Sequence, residues 1–417
     1  MRIAFVCQPW DSFVPPVESG SLPIWTYQVI RQLQKNDCEC VVYSKRKKGL
    51  PDEEIREGIL CRRIPIKFDT ISHKFVRRIP FVCRANYPFY ATRFFHSHYI
   101  RRVARDLQKH PCDVVHVLNF SQFIPVLRKY NPKSGLVLNM RCDWLIQLPP
   151  AVARQRLAKT DMMIGCSDYV TRTIEQMYPE MADRCCTVFN GIDIGDFAGN
   201  RVRKNDTKER CLLFIGRLSP EKGLHVLLEA FGLVVKRYPN VYLNIVGAEG
   251  AAPKDFLVDV CDDEKVQKLA AFYMGKNYLQ CLKDQMTPEI ARRVRFAGFV
   301  PHDKLGTYFD EADILLNPSF WESFGRSLIE AMVCGLPVIA TRVGGMPEIV
   351  EDGRTGYLVE AGDSPALAEA ILRLLEDEPL RQSLGRAGRE RAEKYFSWES
   401  VGANLLARYE EVVASHE

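Results

Sequence analysis

The stretch Asn317–Thr341 reads NPSFWESFGRSLIEAMVCGLPVIAT, and its grammar decides the fold. The apolar run Ile314-Leu315-Leu316 leads into it, and Val338-Ile339-Ala340 lies near its end. Between them, Ser327–Met332 has the spacing of a helix. Strand, turn, helix, strand is the βαβ pattern, which puts a ligand at the carboxyl end of a parallel sheet. A helix N-terminus there offers free backbone N–H groups to a phosphate. Glu322 and Glu330, eight residues apart, bracket the run ESFGRSLIE and flank Phe324-Gly325. Each carboxylate can accept hydrogen bonds from sugar hydroxyls. The segment suits a molecule that is part diphosphate and part polyol.

The same alternation runs outward in both directions. Strand-like runs in the first half are Ile3–Cys7, Cys40–Ser44, Val114–Val117, Leu136–Met140, Met162–Cys166 and Thr187–Phe189. Those of the second half are Cys211–Ile215, Val241–Val246, Val294–Phe299, Ile314–Asn317, Pro337–Thr341 and Gly356–Val359. Amphipathic stretches such as Leu22–Gln34, Tyr99–Lys109, Leu224–Arg237, Lys265–Asp284 and Pro365–Glu376 separate them. Continuous Val/Ile/Leu strands between helices predict an α/β chain with parallel sheets covered on both faces. A length of 417 residues suits two domains. The polar run Gly199–Arg210 lacks apolar periodicity and reads as the linker. The expected domains are 1–195 and 196–396; the last helix, Trp398–Val413, could cap either one. The connection Ala248–Asn277 reads as polar and irregular, and loops that long are usually functional.

Hydrophobic content of 47% and charged content of 26% are those of a globular protein, and no apolar run approaches bilayer-spanning length. The opening run Met1–Cys7 is short and interrupted by Pro9, Trp10 and Asp11, so it reads as a first strand and not as a secretion signal. The fourteen cysteines are scattered without zinc-site spacing, which predicts reduced thiols in a cytoplasmic protein and no metal site. The net charge of +5 hides an asymmetry: Ser44–Arg105 holds sixteen Lys/Arg against five Asp/Glu, so the rest of the chain is net acidic. Cations mixed with aromatics there, as in His73–Arg78 and Phe94–Arg105, fit anionic lipid headgroups, an anionic acceptor, or solvated helix faces. No nucleic-acid module is visible, so nucleic acid is not an expected partner.

Two further elements follow strands in the second half. In Gly216–Gly223 (GRLSPEKG), Arg217 can grip phosphate oxygens with its planar fork and Lys222 adds a point charge. Gly216 and Gly223 keep the backbone bare at the approach to a helix start. In Val343–Glu348 (VGGMPE), paired glycines permit a tight turn, and Pro347-Glu348 suits a first helical turn.

Taken together, Gly216-Arg217, Glu221-Lys222-Gly223, Glu322 with Glu330, Gly344-Gly345, Pro347-Glu348 and Asp352-Gly353…Gly356 resemble the retaining glycosyltransferases of family four, also called glycosyl transferases group 1. The likeness is close over 186–360 and diffuse before it. It implies the GT-B fold of two facing Rossmann-like domains, an N-terminal acceptor domain and a C-terminal nucleotide-sugar donor domain, with the helix 397–417 crossing back to the first. It implies that Arg217 and Lys222 bind the donor diphosphate and that Glu330 takes the ribose hydroxyls. Glu322 would lie at the donor sugar near the Phe324 and Gly325 backbone, Gly216 at the diphosphate, and Val300 beside the base. UDP is the nucleotide expected on family base rates.

The first half departs from the family pattern. Pro15–Ser21 carries one glycine, Gly20, where members often have two. A sugar-contacting histidine after the fifth strand is replaced by Asn139–Asp143, leaving Arg141 or Asp143 to serve. His116 fits a family position and equally fits a structural histidine. No carboxylate nucleophile stands out, and the resemblance implies same-face attack by an acceptor hydroxyl, without metal or cofactor. The rival readings are a non-catalytic nucleotide-sugar-binding subunit, a Rossmann oxidoreductase and a phosphorylase-like enzyme. The second lacks Gly-x-Gly-x-x-Gly in residues 1–40, and the third lacks an identifiable pyridoxal lysine.

Overall fold

A computed structural model describes residues 1–17, 20–76, 89–197, 209–251, 254, 257–275 and 277–416. Most of the linker, 198–208, and Arg77, Arg78 and Arg84 of the basic region lie outside the described residues. The chain divides into two compact units, Met1–Gly191 with Trp398–Glu417, and Ile192–Ser397.

The first unit is built on eight strands: β1 (Arg2–Val6), β2 (Glu39–Lys45), β3 (Glu53–Arg56), β4 (Ile59–Ile64), β5 (Val114–Leu118), β6 (Gly135–Met140), β7 (Met162–Gly165) and β8 (Cys185–Thr187). Their order is β3-β4-β2-β1-β5-β6-β7-β8, parallel except for β3 against β4. The chain winds outward from β1 in both directions, so the topological switch lies between β1 and β5. Its central strands are almost wholly apolar and buried, as a sheet covered on both faces requires. The last helix, Trp398–Ala414, belongs to this unit: Trp398, Val401, Leu405, Tyr409 and Val412 join the core of β1, β5 and helix Ser21–Gln34.

The second unit has six parallel strands: β9 (Arg210–Ile215), β10 (Val241–Val246), β11 (Val294–Gly298), β12 (Ile314–Asn317), β13 (Val338–Thr341) and β14 (Gly356–Val359), in the order β11-β10-β9-β12-β13-β14. Here the switch lies between β9 and β12. The core is Leu/Val/Ile from these strands with helices Leu224–Arg237 and Ser364–Glu376. The α/β class of two Rossmann-like domains stands.

Several local expectations are corrected. Strand β8 covers Cys185–Thr187 and not Thr187–Phe189. The edge hairpin β3–β4 carries an acidic pair on one strand and a basic pair on the other (Glu53-Glu54 and Arg62-Arg63), which hid it from an apolar-run reading. The expected helix Lys265–Asp284 is three short pieces, Glu264–Gln267, a 3-10 turn Lys268–Tyr273, and Tyr278–Gln285, the last capped by the Asn277 side chain. The supposedly irregular connection also has its own apolar cluster, Val258, Val266 and Leu269, packed against Phe320 and Trp321.

Candidate functional site

All six strands of the second unit are parallel, so the loops after them share one edge. The loops after β9 and β12 flank the switch point, where an open α/β sheet binds ligands. The loop after β9 turns through the 3-10 segment Pro220–Lys222 into helix Leu224–Arg237. The loop after β12 runs Pro318–Gly325 into helix Arg326–Val333.

Two glycines let these loops touch. Gly223 has φ +69°, and a Cβ there would lie 2.0 Å from the Pro318 carbonyl oxygen. Gly344 has φ +54°, and its Cβ would lie 1.7 Å from the Glu322 carbonyl oxygen, which also accepts the Gly345 N–H at 3.2 Å. The Phe320 N–H donates to the Glu221 carbonyl at 2.7 Å. Backbone contact between loops a hundred residues apart thus fixes where the side chains start.

Those side chains then meet. Lys222 Nζ donates to Glu322 Oε2 at 2.7 Å, both side chains being about four-fifths covered. The Phe324 N–H reaches Glu322 Oε1 at 3.4 Å. Arg217 gives one Nη to Glu221 Oε1 at 3.0 Å, and Glu221 is buried and also held by the Ser219 hydroxyl. The Arg217 side chain is otherwise 52% exposed, so much of its fork faces outward. Gly216 follows directly on β9, and Gly325 caps the helix that carries Glu330.

Glu330 sits one turn into that helix and is buried. Its Oε1 accepts from Arg326 Nη2 at 2.8 Å and lies 3.1 Å from His302 Nε2. Burial alone would raise this carboxyl, but Arg326 and His302 outweigh it and hold it below the ordinary range. Its Oε2 makes no hydrogen bond among the described residues. His302 and Arg326 were missed in the sequence. Arg326 could have been found from its i, i+4 relation to Glu330; His302, in a different loop, carried no local signal. Val300 is half-buried in the loop after β11, beside Phe299, which is exposed.

The first unit's candidates are more dispersed in role. Of the two readings of His116, the packing supports the structural one: it lies inside β5, fully buried, stacked on Trp25, tilted against Phe5, and hydrogen-bonded through Nδ1 to the Tyr409 hydroxyl at 2.8 Å. It is a core residue, and burial drives its imidazole down to about 3, keeping it neutral. Arg141, just past β6, stacks 4.4 Å over the same Trp25 ring and bonds to the Asn190 side chain. Asp143 is buried in the next turn, and Gly20 stands immediately before helix Ser21–Gln34. The loops after β1, β5 and β6 also gather rings: Trp10 meets Phe120 and Trp144 edge to face at 5.3 and 6.3 Å.

One group of potential metal ligands occurs among the described residues, Asp69, His73 and His96 in the first unit. Asp69 already accepts the His98 and Tyr99 N–H groups, and His73 Nε2 accepts the His96 N–H, so the group caps the start of helix Ser97–Lys109.

Comparison with known proteins agrees with this layout. Residues 199–391 match the profile of glycosyl transferases group 1, and residues 24–196 match that of Glycosyltransferase Family 4. The chain belongs to glycosyltransferase family four. Spore coat protein SA of Bacillus subtilis is 26% identical over 95% of this chain and 96% of its own. The D-inositol 3-phosphate glycosyltransferase of Corynebacterium glutamicum is 25% identical over 100% of this chain and 98% of its own. Among solved structures, Anabaena Alr3699/HepE in complex with UDP and glucose superimposes with a TM-score of 0.67 at 19% identity, covering 99% of this chain and 100% of that one. The fold is therefore GT-B, and the chain is a glycosyltransferase.

Proposed function

We propose that this glycosyltransferase moves a sugar from a nucleotide-diphosphate sugar, a UDP-sugar by preference, to an acceptor hydroxyl with retention of anomeric configuration and without a metal ion. The observation that carries the reading is the meeting of Lys222 and Glu322 beside Arg217 at the β9/β12 switch. An arriving diphosphate draws Lys222 from Glu322 and takes the open side of Arg217. Glu322 is then free to accept from the donor sugar's hydroxyls, with the Phe324 and Gly325 backbone alongside. Glu330, already oriented by Arg326 and His302, offers its Oε2 to the ribose, and the base lies against Phe299-Val300.

In the transfer, the bond from the anomeric carbon to the diphosphate oxygen breaks as the acceptor oxygen bonds to the same face. The departing phosphate oxygen takes the acceptor's proton. The protein's share is positioning and stabilisation of the negative charge that develops on the diphosphate. The two cations supply the neutralisation that a divalent ion supplies elsewhere.

The acceptor is assigned to the loops after β1, β5 and β6 of the first unit, where Trp10 and Trp144 meet and which also carry Gly20, Arg141 and Asp143. The domain roles follow: donor for 192–397, acceptor for the remainder. The thirteen described cysteines form no disulfide with one another, which supports a reducing, cytoplasmic setting. The basic region 44–105 suits contact with an anionic membrane surface.

Mass spectrometry of the purified protein with a panel of nucleotide sugars, in chelator, tests the reading. Release of one nucleoside diphosphate with free or transferred sugar supports it. Binding without turnover would favour the non-catalytic subunit, and turnover only with added metal would remove the metal-independent step.

A further inference from the structure

Helix Lys67–Val76 is built inside out. Its inward residues are polar: Asp69 is 1% exposed and caps helix Ser97–Lys109 through the His98 and Tyr99 N–H groups, and His73 stacks on Phe95 at 4.9 Å while accepting the His96 N–H. Its outward residues are apolar: Phe68, Ile71 and Phe75 are 66%, 46% and 65% exposed. The spacing i, i+3, i+7 puts these three on one stripe. Lys67 and Lys74 fall beside them, so all five residues occupy an arc of about 120°. Ordinary surface helices show the reverse pattern, and a stripe of large exposed apolar side chains marks an interaction site.

The surroundings say what kind. Phe94, also partly exposed, lies 5.0 Å under the Arg93 guanidinium. Arg101, Arg102 and Arg105 stand exposed on the helix that Asp69 caps. Lys67, Lys74, Arg101, Arg102 and Arg105 have no ion-pair partner among the described residues. An apolar stripe rimmed by unneutralised cations complements an anionic lipid surface, where rings enter the headgroup–acyl boundary and cations meet phosphates.

We propose that this face seats the protein on an anionic bilayer, Phe68, Ile71 and Phe75 entering the interface and Lys67, Lys74, Arg101 and Arg102 contacting the headgroups. The inference rests on the reading of the basic region as a lipid contact and is independent of the donor chemistry. The membrane is gripped by insertion and not by charge alone.

Sedimentation with vesicles of phosphatidylcholine alone or with phosphatidylglycerol tests it, using the full chain and the triple variant Phe68→Ser, Ile71→Ser, Phe75→Ser. The wild type should bind the anionic vesicles and retain part of that binding in high salt. The triple variant should bind at least tenfold less with an unchanged melting temperature, since the three side chains are solvent-facing. Phe75→Trp should show a blue-shifted emission on adding anionic vesicles. Equal binding by wild type and triple variant, or no binding by the wild type, overturns the proposal. So does loss of self-association in the triple variant without any vesicle binding, which would make the stripe a contact between copies. Donor hydrolysis without lipid, measured on the same samples, separates failure of this proposal from failure of the enzymatic one.

Discussion

The two units share one construction and use it differently at the carboxyl edge of the sheet. In the second unit that edge is polar and paired, with Lys222 on Glu322, Arg217 on Glu221, and Glu330 between Arg326 and His302. In the first unit the corresponding loops bring together Trp10, Phe120 and Trp144, with Arg141 laid on Trp25. On the proposed reading, the second edge meets a diphosphate with cations held in short loops behind strands. On the same reading, the first edge meets the acceptor with a shape that rings from several loops supply without a local motif. The first kind of site is written compactly in the chain; the second is dispersed.

The sharpest test of this contrast is catalytic. Arg217→Ala and Lys222→Ala should each lower turnover at least about a hundredfold, corresponding to about 2.7–4 kcal/mol of lost transition-state stabilisation. Arg141→Ala in the first unit removes a cation whose charge rests on a ring, and should cost no more than about tenfold. Steady-state release of nucleoside diphosphate measures all three. Near-normal rates in both second-unit variants would break the assignment of that edge to the donor.

A second test asks whether backbone approach builds the second unit's site. At Gly344 a methyl group would overlap the Glu322 carbonyl at 1.7 Å, in a left-handed conformation. Gly344→Ala should destabilise the unit by about 3 kcal/mol and displace Glu322. Gly232, inside helix Leu224–Arg237 with nothing within 4 Å of an added Cβ, is the control. Its replacement by Ala should leave stability equal or raise it by up to about 1 kcal/mol. Chemical denaturation read for each variant gives the comparison.

These variants also mark what the sequence could reveal. The βαβ alternation and the buried apolar strands made the fold class legible, and Arg217, Lys222, Glu322 and Glu330 stood out as candidates because they lie in the loop-to-helix segments that follow strand-like runs. The Lys222–Glu322 contact joins loops a hundred residues apart and was only implied by their common motif. His302 reaches Glu330 from a separate loop, and helix Lys67–Val76 carries its polar side inward, against the rule by which helices are read from periodicity. His116 looked equally like a ligand and a core residue, because a buried histidine in an apolar strand has the same sequence either way.

The acid response should separate the units again. Burial holds His116 near 3 and His96 near 3, both below the ordinary value of 6.5. With the folded pKa depressed, the unfolded chain gains protons first as pH falls below about 6.5, so the stability is complete above that pH and lost towards 3. For one such histidine the loss at pH 5 is about 2 kcal/mol. The second unit holds one comparable group, His225, lowered by burial to about 4. Histidine-selective NMR should find these resonances unmoved between pH 7.5 and 5, and the first unit should unfold more easily at pH 5 than at 7. A His116 resonance titrating near 6.5 would contradict its place in the core.

The smallest effect bears most directly on what His116 is for. Its Nδ1 pairs with the Tyr409 hydroxyl at 2.8 Å, and its Nε2 is buried with no hydrogen bond among the described residues. That pair ties the last helix to β5. Tyr409→Phe keeps the ring and its packing while leaving the imidazole without a partner, which should cost about 1 kcal/mol of stability. Turnover and KM should not change, since neither side chain reaches solvent. The opposite split, an altered rate with unchanged stability, would move His116 from the core to the reaction. The first unit would then have a polar catalytic group hidden beneath its aromatic edge, and the contrast between the two sheets would be one of depth and not of chemistry.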